Sequence, residues 1–225
     1  VDSLAMSCPE GIVCFRNFTG KDFPLDTLVA KMLDARKKKS FVRIAWYGDS
    51  FSEGDILVSD LRDTLQSAFG GNGVGYVPIT SEIAGLRQPV IHSFGGWSTS
   101  SILTNPGSGK LGISGYSFVP DSGNYVFYKG SSHFRHTSMF STFKLFYSGE
   151  YEQKARIVIN KTDVRNVVLP ASRRPAMVVV KSDSIRQIKA SLGRGGVNCF
   201  GASLEDETGV YIDNFAIKGN SGLGL

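Results

Sequence analysis

The sequence predicts an α/β layer, incomplete in this chain, into which an all-β sandwich or jelly-roll domain is inserted. Three observations predict it. Residues 25–69 read as helix, strand, polar turn and helix, in that order. Over residues 85–209 the helical period disappears, and short apolar or aromatic runs alternate with Gly, Ser, Asn and Asp. From Val210-Tyr211-Ile212 the chain turns apolar again and reaches a glycine-bearing turn, as a strand rejoining the first layer would.

Residues 1–24 carry Pro9, Gly11, Gly20 and Pro24, which break any period, so an irregular, extended N-terminal arm is expected. A helix should follow from about Leu25 to Lys38, because Leu25, Leu28, Val29, Met32 and Leu33 keep the i, i+3, i+4, i+7, i+8 spacing of a buried face. Residues 41–47 read as a strand. A second helix is expected over residues 56–69, with Ile56, Leu57, Leu61, Leu65, Ala68 and Phe69 as its apolar face and Gly70-Gly71 as its stop. The all-β region holds a series of candidate strands, among them residues 116–119, 125–128, 142–147, 155–159, 164–169 and 197–204. The expected organisation is therefore an arm at 1–24, the first part of the α/β domain at 25–84, the inserted β domain at 85–209 and a return to the α/β domain at 210–225.

The strand at 41–47 ends abruptly in Gly48-Asp49-Ser50. In an open α/β sheet, the turns at the carboxyl ends of strands hold ligands and nucleophiles. Read as chemistry, Ser50 is a nucleophile for acyl transfer. Read as structure, Asp49 or Ser50 caps an ordinary turn. Further matching residues follow at Glu53-Gly54-Asp55, Leu61-Arg62 and Phe69-Gly70-Gly71-Asn72-Gly73-Val74-Gly75-Tyr76-Val77-Pro78. On these residues the stretch from Ile44 to Pro78 resembles the opening block of the SGNH (GDSL-like) hydrolases, and is most similar to bacterial members that act on glycan or peptidoglycan O-acetyl esters. The resemblance covers the N-terminal part only.

That resemblance implies a flavodoxin-like layer, with Ser50 as the nucleophile and Gly48 and Asp49 supporting it. The N–H groups of Ser50 and of Gly219, from a second block, would form the oxyanion hole. It also implies an inserted carbohydrate-binding-like β domain, an acylated glycan or peptidoglycan as substrate, no cofactor, and a periplasmic or extracellular bacterial home with any signal peptide removed. Trp97, in Gly95-Gly96-Trp97-Ser98, is the candidate glycan contact, because an exposed indole stacks on a sugar face; packing in a domain interface is its alternative. The family's Gly-x-Asn-Asp-like and Asp-x-x-His blocks do not occur here. The histidines are His92, His133 and His136, and Pro89, Gly130 and His133 stand three residues before them. The general base and its Asp are therefore expected outside this chain, and the chain alone is expected to be inactive. The parent protein reads as a serine esterase that removes acyl groups, above all acetyl, from a carbohydrate. Non-catalytic glycan binding at a surface, or acyl transfer on the same fold, are the alternatives.

Composition fits a globular domain with a real core: 225 residues, 41% hydrophobic and 20% charged. No apolar run approaches the ~20 residues of a membrane-crossing helix. The net charge of +5 is scattered apart from Arg36-Lys37-Lys38-Lys39 and Arg173-Arg174, and the aromatics sit in apolar runs, which argues against nucleic acid as a partner. His133 and His136 share a face only on a helix, and this is strand territory, so no metal site is assigned. Cys8 and Cys14 are near enough to form a small loop under oxidising conditions, whereas Cys199 lies in an apolar strand and reads as a buried small hydrophobe.

Overall fold

The computed structural model describes residues 25–38, 40–105 and 110–219. The expected arm at 1–24, Cys8, Cys14 and everything after Gly219 lie outside the described residues. Helix α1 spans Asp26–Lys38, strand β1 Phe41–Trp46 and helix α2 Val58–Phe69. Then come β2 (Gly75–Val77), β3 (Val90–Ser101), β4 (Tyr116–Gly130), β5 (Phe140–Gly149), β6 (Gln153–Ile159), β7 (Asp163–Leu169), β8 (Ser172–Ile185), β9 (Gln187–Leu192), β10 (Val197–Glu205) and β11 (Gly209–Asn214).

This corrects the expected fold class. The protein is mostly β, and a nine-stranded antiparallel sheet dominates it. Where an α/β layer was expected there is a two-stranded parallel pair, β1 with β11, flanked by the two helices. The physical reason lies in where apolar surface can be buried. Two strands have no interior member, and among the described residues the only buried cluster there is Met32, Ala35, Val42 and Val210. The sandwich is corrected too. Hydrogen bonding runs continuously along β7-β6-β9-β4-β10-β5-β8, with β2 beside β10 and β3 beside β4. The two end strands approach one another, and Arg165 of β7 donates to the Lys181 carbonyl of β8 at 2.7 Å. The sheet is thus close to a barrel.

Alternation explains its core. In β6, Ala155, Ile157 and Ile159 point inward while the residues between them do not. They meet Leu145, Phe143, Phe118, Val126, Ile188 and Leu204 from neighbouring strands. Burying each large side chain contributes roughly 1.5–3 kcal/mol over leaving it exposed. Cys199 is fully buried in this core, and burial pushes its thiol up to about 12, as expected for a small hydrophobe.

The helices differ from expectation in which face they bury. Of the predicted apolar face of α1, Leu25, Val29 and Leu33 are exposed and Met32 is buried; Ala35, outside that predicted face, is buried as well. In α2 the inward residues are Val58, Ser59, Arg62 and Gln66, while Ile56 and Leu57 before it and Leu61 within it are exposed. Polar side chains win the inner face of α2 because β11 offers them carbonyls. Arg62 donates to the Ile212 carbonyl at 3.1 Å, and Gln66 to the Gly73 carbonyl at 2.9 Å and the Val210 carbonyl at 3.3 Å.

The parallel pair is tied to the large sheet by charge. Arg43 of β1 donates through Nη1 to both carboxylate oxygens of Asp213 on β11, at 2.8 and 2.7 Å, and through Nη2 pairs with Glu205 of β10. Glu205 in turn meets Lys144 of β5 and the Ser203 hydroxyl. Burial alone would raise the Glu205 carboxyl; Arg43 and these bonds hold it below the usual carboxylate range. The link between the two regions also needs Gly73. Its φ is +96°, and a Cβ there would stand 2.2 Å from the Leu204 carbonyl oxygen.

Candidate active site

β1 and β11 run parallel in the register Phe41 to Gly209 through Trp46 to Asn214. Beyond the strands the pairing continues: Phe215 N–H donates to the Trp46 carbonyl at 2.8 Å and Ile217 N–H to the Gly48 carbonyl at 3.0 Å. Ser50 and Gly219 therefore each stand two residues past that last bond, on adjacent chain segments at one end of the pair. Gly219 has φ +78° and is exposed. Ser50 is exposed in the turn. Neither residue's N–H has a partner among the described residues.

The turn is built by its own backbone. The Asp49 carboxylate accepts the Phe51 N–H at 3.0 Å, and its carbonyl accepts the N–H groups of Ser52 and Glu53 at 3.1 Å each. Asp49 thus closes a local turn; it does not cap α2, whose N-cap position is Leu57. Gly48 is needed for close approach, because a Cβ there would come within 2.9 Å of the Ser52 hydroxyl oxygen.

Beneath the turn lies a cluster that the periodicity did not announce. The Asp55 side chain is 1% exposed and pairs with Arg62 and Arg87, each at 3.0 Å. Asn214 donates to Asp55 at 3.0 Å and to the Ser52 carbonyl at 2.6 Å. Burial alone would raise the Asp55 carboxyl; the two guanidiniums and the Asn214 amide hold it below its ordinary value. Asp55 keeps φ +64°, a conformation a non-glycine residue rarely adopts, so this cluster holds the backbone where it would not otherwise stay. Two of its members, Asp55 and Arg62, stand in the block that carried the family resemblance. Asp55 stands before α2 and Arg62 within it, seven residues apart, and for Arg87 the sequence offered no signal.

A cleft of about 770 Å³ opens beside this end of the pair. Gly219, Lys218, Glu53, Trp97, Phe94 and Tyr116 line it. Trp97 is partly buried, and its indole N–H is fixed to the Tyr125 carbonyl at 2.8 Å, which locks the ring in place. The Glu53 carboxylate accepts the Lys218 N–H at 3.1 Å, and burial raises its pKa. The structure thus brings Gly219 and Trp97 to one cleft and places Ser50 on the adjoining turn, outside the residues that line it.

The histidines are elsewhere. His92 on β3 is buried against Tyr128, with ring centroids 4.8 Å apart, and its Nε2 bonds the Ile79 carbonyl at 3.0 Å. Burial lowers its pKa to about 4, so it is neutral at pH 7. His136 meets Ser67 at 3.1 Å and Asn72 at 3.3 Å, near the C-terminal end of α2. His133 is exposed beside Phe134. None contacts Ser50.

No protein-family model and no curated protein matches the chain. Solved structures do. A peptidoglycan O-acetylesterase ("Peptidoglycan O-acetylesterase in action, 5 min") matches with a TM-score of 0.61 at 19% identity, over 87% of this chain and 51% of that one. The two share a fold across that overlap, and this chain spans about half of that esterase's length. A GH26-CBM35 β-(1,4)-mannanase from Podospora anserina matches with a TM-score of 0.37 at 14% identity, over 52% of this chain and 28% of that one. A family 29 carbohydrate-binding module matches with 0.34 at 15%, over 60% and 93%. These two scores are too low to carry an architectural argument.

Proposed function

We propose that this chain carries the nucleophile side of a serine esterase that removes acetyl groups from a glycan, with peptidoglycan as the leading substrate and the periplasm or cell exterior as its place of action. The observation that carries the reading is the placement of Ser50 and Gly219. Two backbone N–H groups without partners among the described residues end adjacent parallel segments, beside a cleft with a fixed indole. Ser50 Oγ attacks the ester carbonyl. The N–H groups of Ser50 and Gly219 receive the tetrahedral oxyanion, for which donors at about 2.7–3.1 Å are needed. Trp97 offers its ring to the sugar. The fold shared with a peptidoglycan O-acetylesterase supports the substrate class.

A general base must take the Ser50 proton. None of His92, His133 and His136 meets Ser50, so this reading requires a base that the described residues do not bring to it. The test is acetate release from O-acetylated peptidoglycan fragments by the protein carrying this chain, compared with its Ser50→Ala variant. Loss of release in a folded variant is the expected result; undiminished release contradicts the assignment.

The absence of a histidine at Ser50 and the aromatic lining of the cleft favour one second reading, a glycan-binding protein without catalysis. In that case glycan affinity falls in Trp97→Ala, and no acetate is released by any form of the protein.

A further inference from the structure

A second cleft, of about 500 Å³, lies on the large sheet away from Ser50. It is made by two breaks in strand register. Between the pairs Tyr147–Ala176 and Gly149–Ser172, β5 has one residue where β8 has Arg173, Arg174 and Pro175. Between Cys199–Tyr147 and Gly201–Phe146, β10 carries Phe200 with no counterpart on β5. Such bulges bend a strand and re-aim a side chain. Here they set Phe200 in the lining, next to Val119 and Val197, and bring Arg173 and Pro175 to the rim. The β5–β6 turn adds Glu150 and Tyr151.

The lining has the mixture that sugars require. Tyr151 is 70% exposed and makes no ring contact among the described residues. Its ring is open to a ligand, and a pyranose offers the C–H face that an aromatic ring covers. Around it stand planar polar groups without partners among the described residues: the Arg173 guanidinium, the Asn198 amide and the Glu150 carboxylate. Between them they supply donors and acceptors for vicinal hydroxyls. An apolar floor with a few convergent polar groups is the general form of a small-ligand site.

We propose that this cleft is a saccharide-binding site, distinct from the Trp97 cleft, that stacks one pyranose ring of an oligosaccharide on Tyr151 and hydrogen-bonds its hydroxyls through Asn198, Arg173 and Glu150. It does not depend on Ser50 being a nucleophile. Two such clefts on one chain would let a long glycan be held at one point while another point is presented at the Ser50 turn, raising the effective concentration of the second contact.

The test is a backbone-amide NMR titration of the 225-residue chain with two probes, a soluble N-acetylglucosamine hexamer and a galacturonate hexamer. Saturable shifts at Tyr151, Asn198 and Arg173 with at least one probe are expected. Tyr151→Ala should weaken that binding about tenfold or more, and Trp97→Ala should leave these shifts in place. Tyr151 is exposed, so its removal leaves the fold intact; Arg173→Ala, also on the surface, provides a second variant and should weaken the same shifts. The proposal is overturned if neither hexamer shifts these amides at millimolar concentration, if the shifts persist unchanged in Tyr151→Ala, or if they vanish in Trp97→Ala.

Discussion

The large sheet and the parallel pair are held together by opposite means. The sheet buries a continuous apolar cluster contributed by β2 to β10, in which Leu145, Ile157, Phe143 and Tyr128 are fully enclosed. The pair buries a smaller apolar set, with Val42, Val210, Tyr211 and Ile212 on the strands and Met32 and Ala35 on α1, and is pinned besides by charges: Asp55 with Arg62 and Arg87 on one side, Arg43 with Asp213 and Glu205 on the other. Apolar packing is non-directional and tolerates rearrangement, whereas a buried ion pair demands fixed geometry and is costly once one partner is lost. The difference teaches where precision is located in this molecule. The pinned region is the one that carries the Ser50 turn and the 214–219 segment.

The largest effect should come from Asp55→Ala. It leaves two buried guanidiniums without their counter-ion, and should cost about 3–5 kcal/mol. Hydrogen exchange should show protection falling in β1, α2 and β11 while β4, β5 and β10 keep theirs. Equal loss in both regions would mean that they form one cooperative unit, and would break the comparison. Leu145→Ala, in the apolar cluster, should cost about 2–5 kcal/mol and lower protection throughout the sheet, read by denaturant unfolding with exchange mapping.

Acid should act on both regions. His92 is neutral in the fold with a pKa near 4, against about 6.5 when unfolded, so between those values the unfolded chain binds the proton and the folded one does not. Stability should therefore fall as pH drops from about 6.5 to 4, by up to about 3 kcal/mol. The Asp55 and Glu205 contributions are present above the ordinary carboxylate range and are lost as pH falls through their depressed values, so they extend the decline to lower pH. Unfolding of His92→Phe across this range should flatten the upper part of the decline and leave the lower part. The smallest effect belongs to Ser50→Ala. Its side chain is exposed and carries no bond among the described residues, so stability should change by less than about 0.5 kcal/mol while any ester hydrolysis disappears.

Much of the sheet was legible in the sequence, because strands with one buried face write their period into it. Residues 142–147, 155–159, 164–169 and 197–204 all fall within observed strands. Residues 116–119 and 125–128, read as two strands, belong to one: β4 pairs with β3 on both sides of a register shift at Gly95–Trp97, which accommodates the residues between them. The inner face of α2 was not legible. Arg62 and Gln66 are buried because they bond carbonyls of residues about 140 to 150 positions away, and no local period records that. The dominance of the sheet over the parallel pair was missed for a related reason. A helix–strand–turn–helix order signals a layer without saying how many strands it has. Of the candidate site, the Gly48-Asp49-Ser50 turn and Gly219 could be named from sequence, whereas the Asp55 cluster that holds the turn needed the fold.

The most direct measurement is residue-resolved labelling by a fluorophosphonate, read by mass spectrometry. Ser50 in the 225-residue chain should remain unmodified at neutral pH, and the same serine should be labelled rapidly once a general base is brought to it. Equal labelling of Ser50 in the chain alone would show that a base already lies within it, and absence of labelling in both would show that Ser50 is no nucleophile.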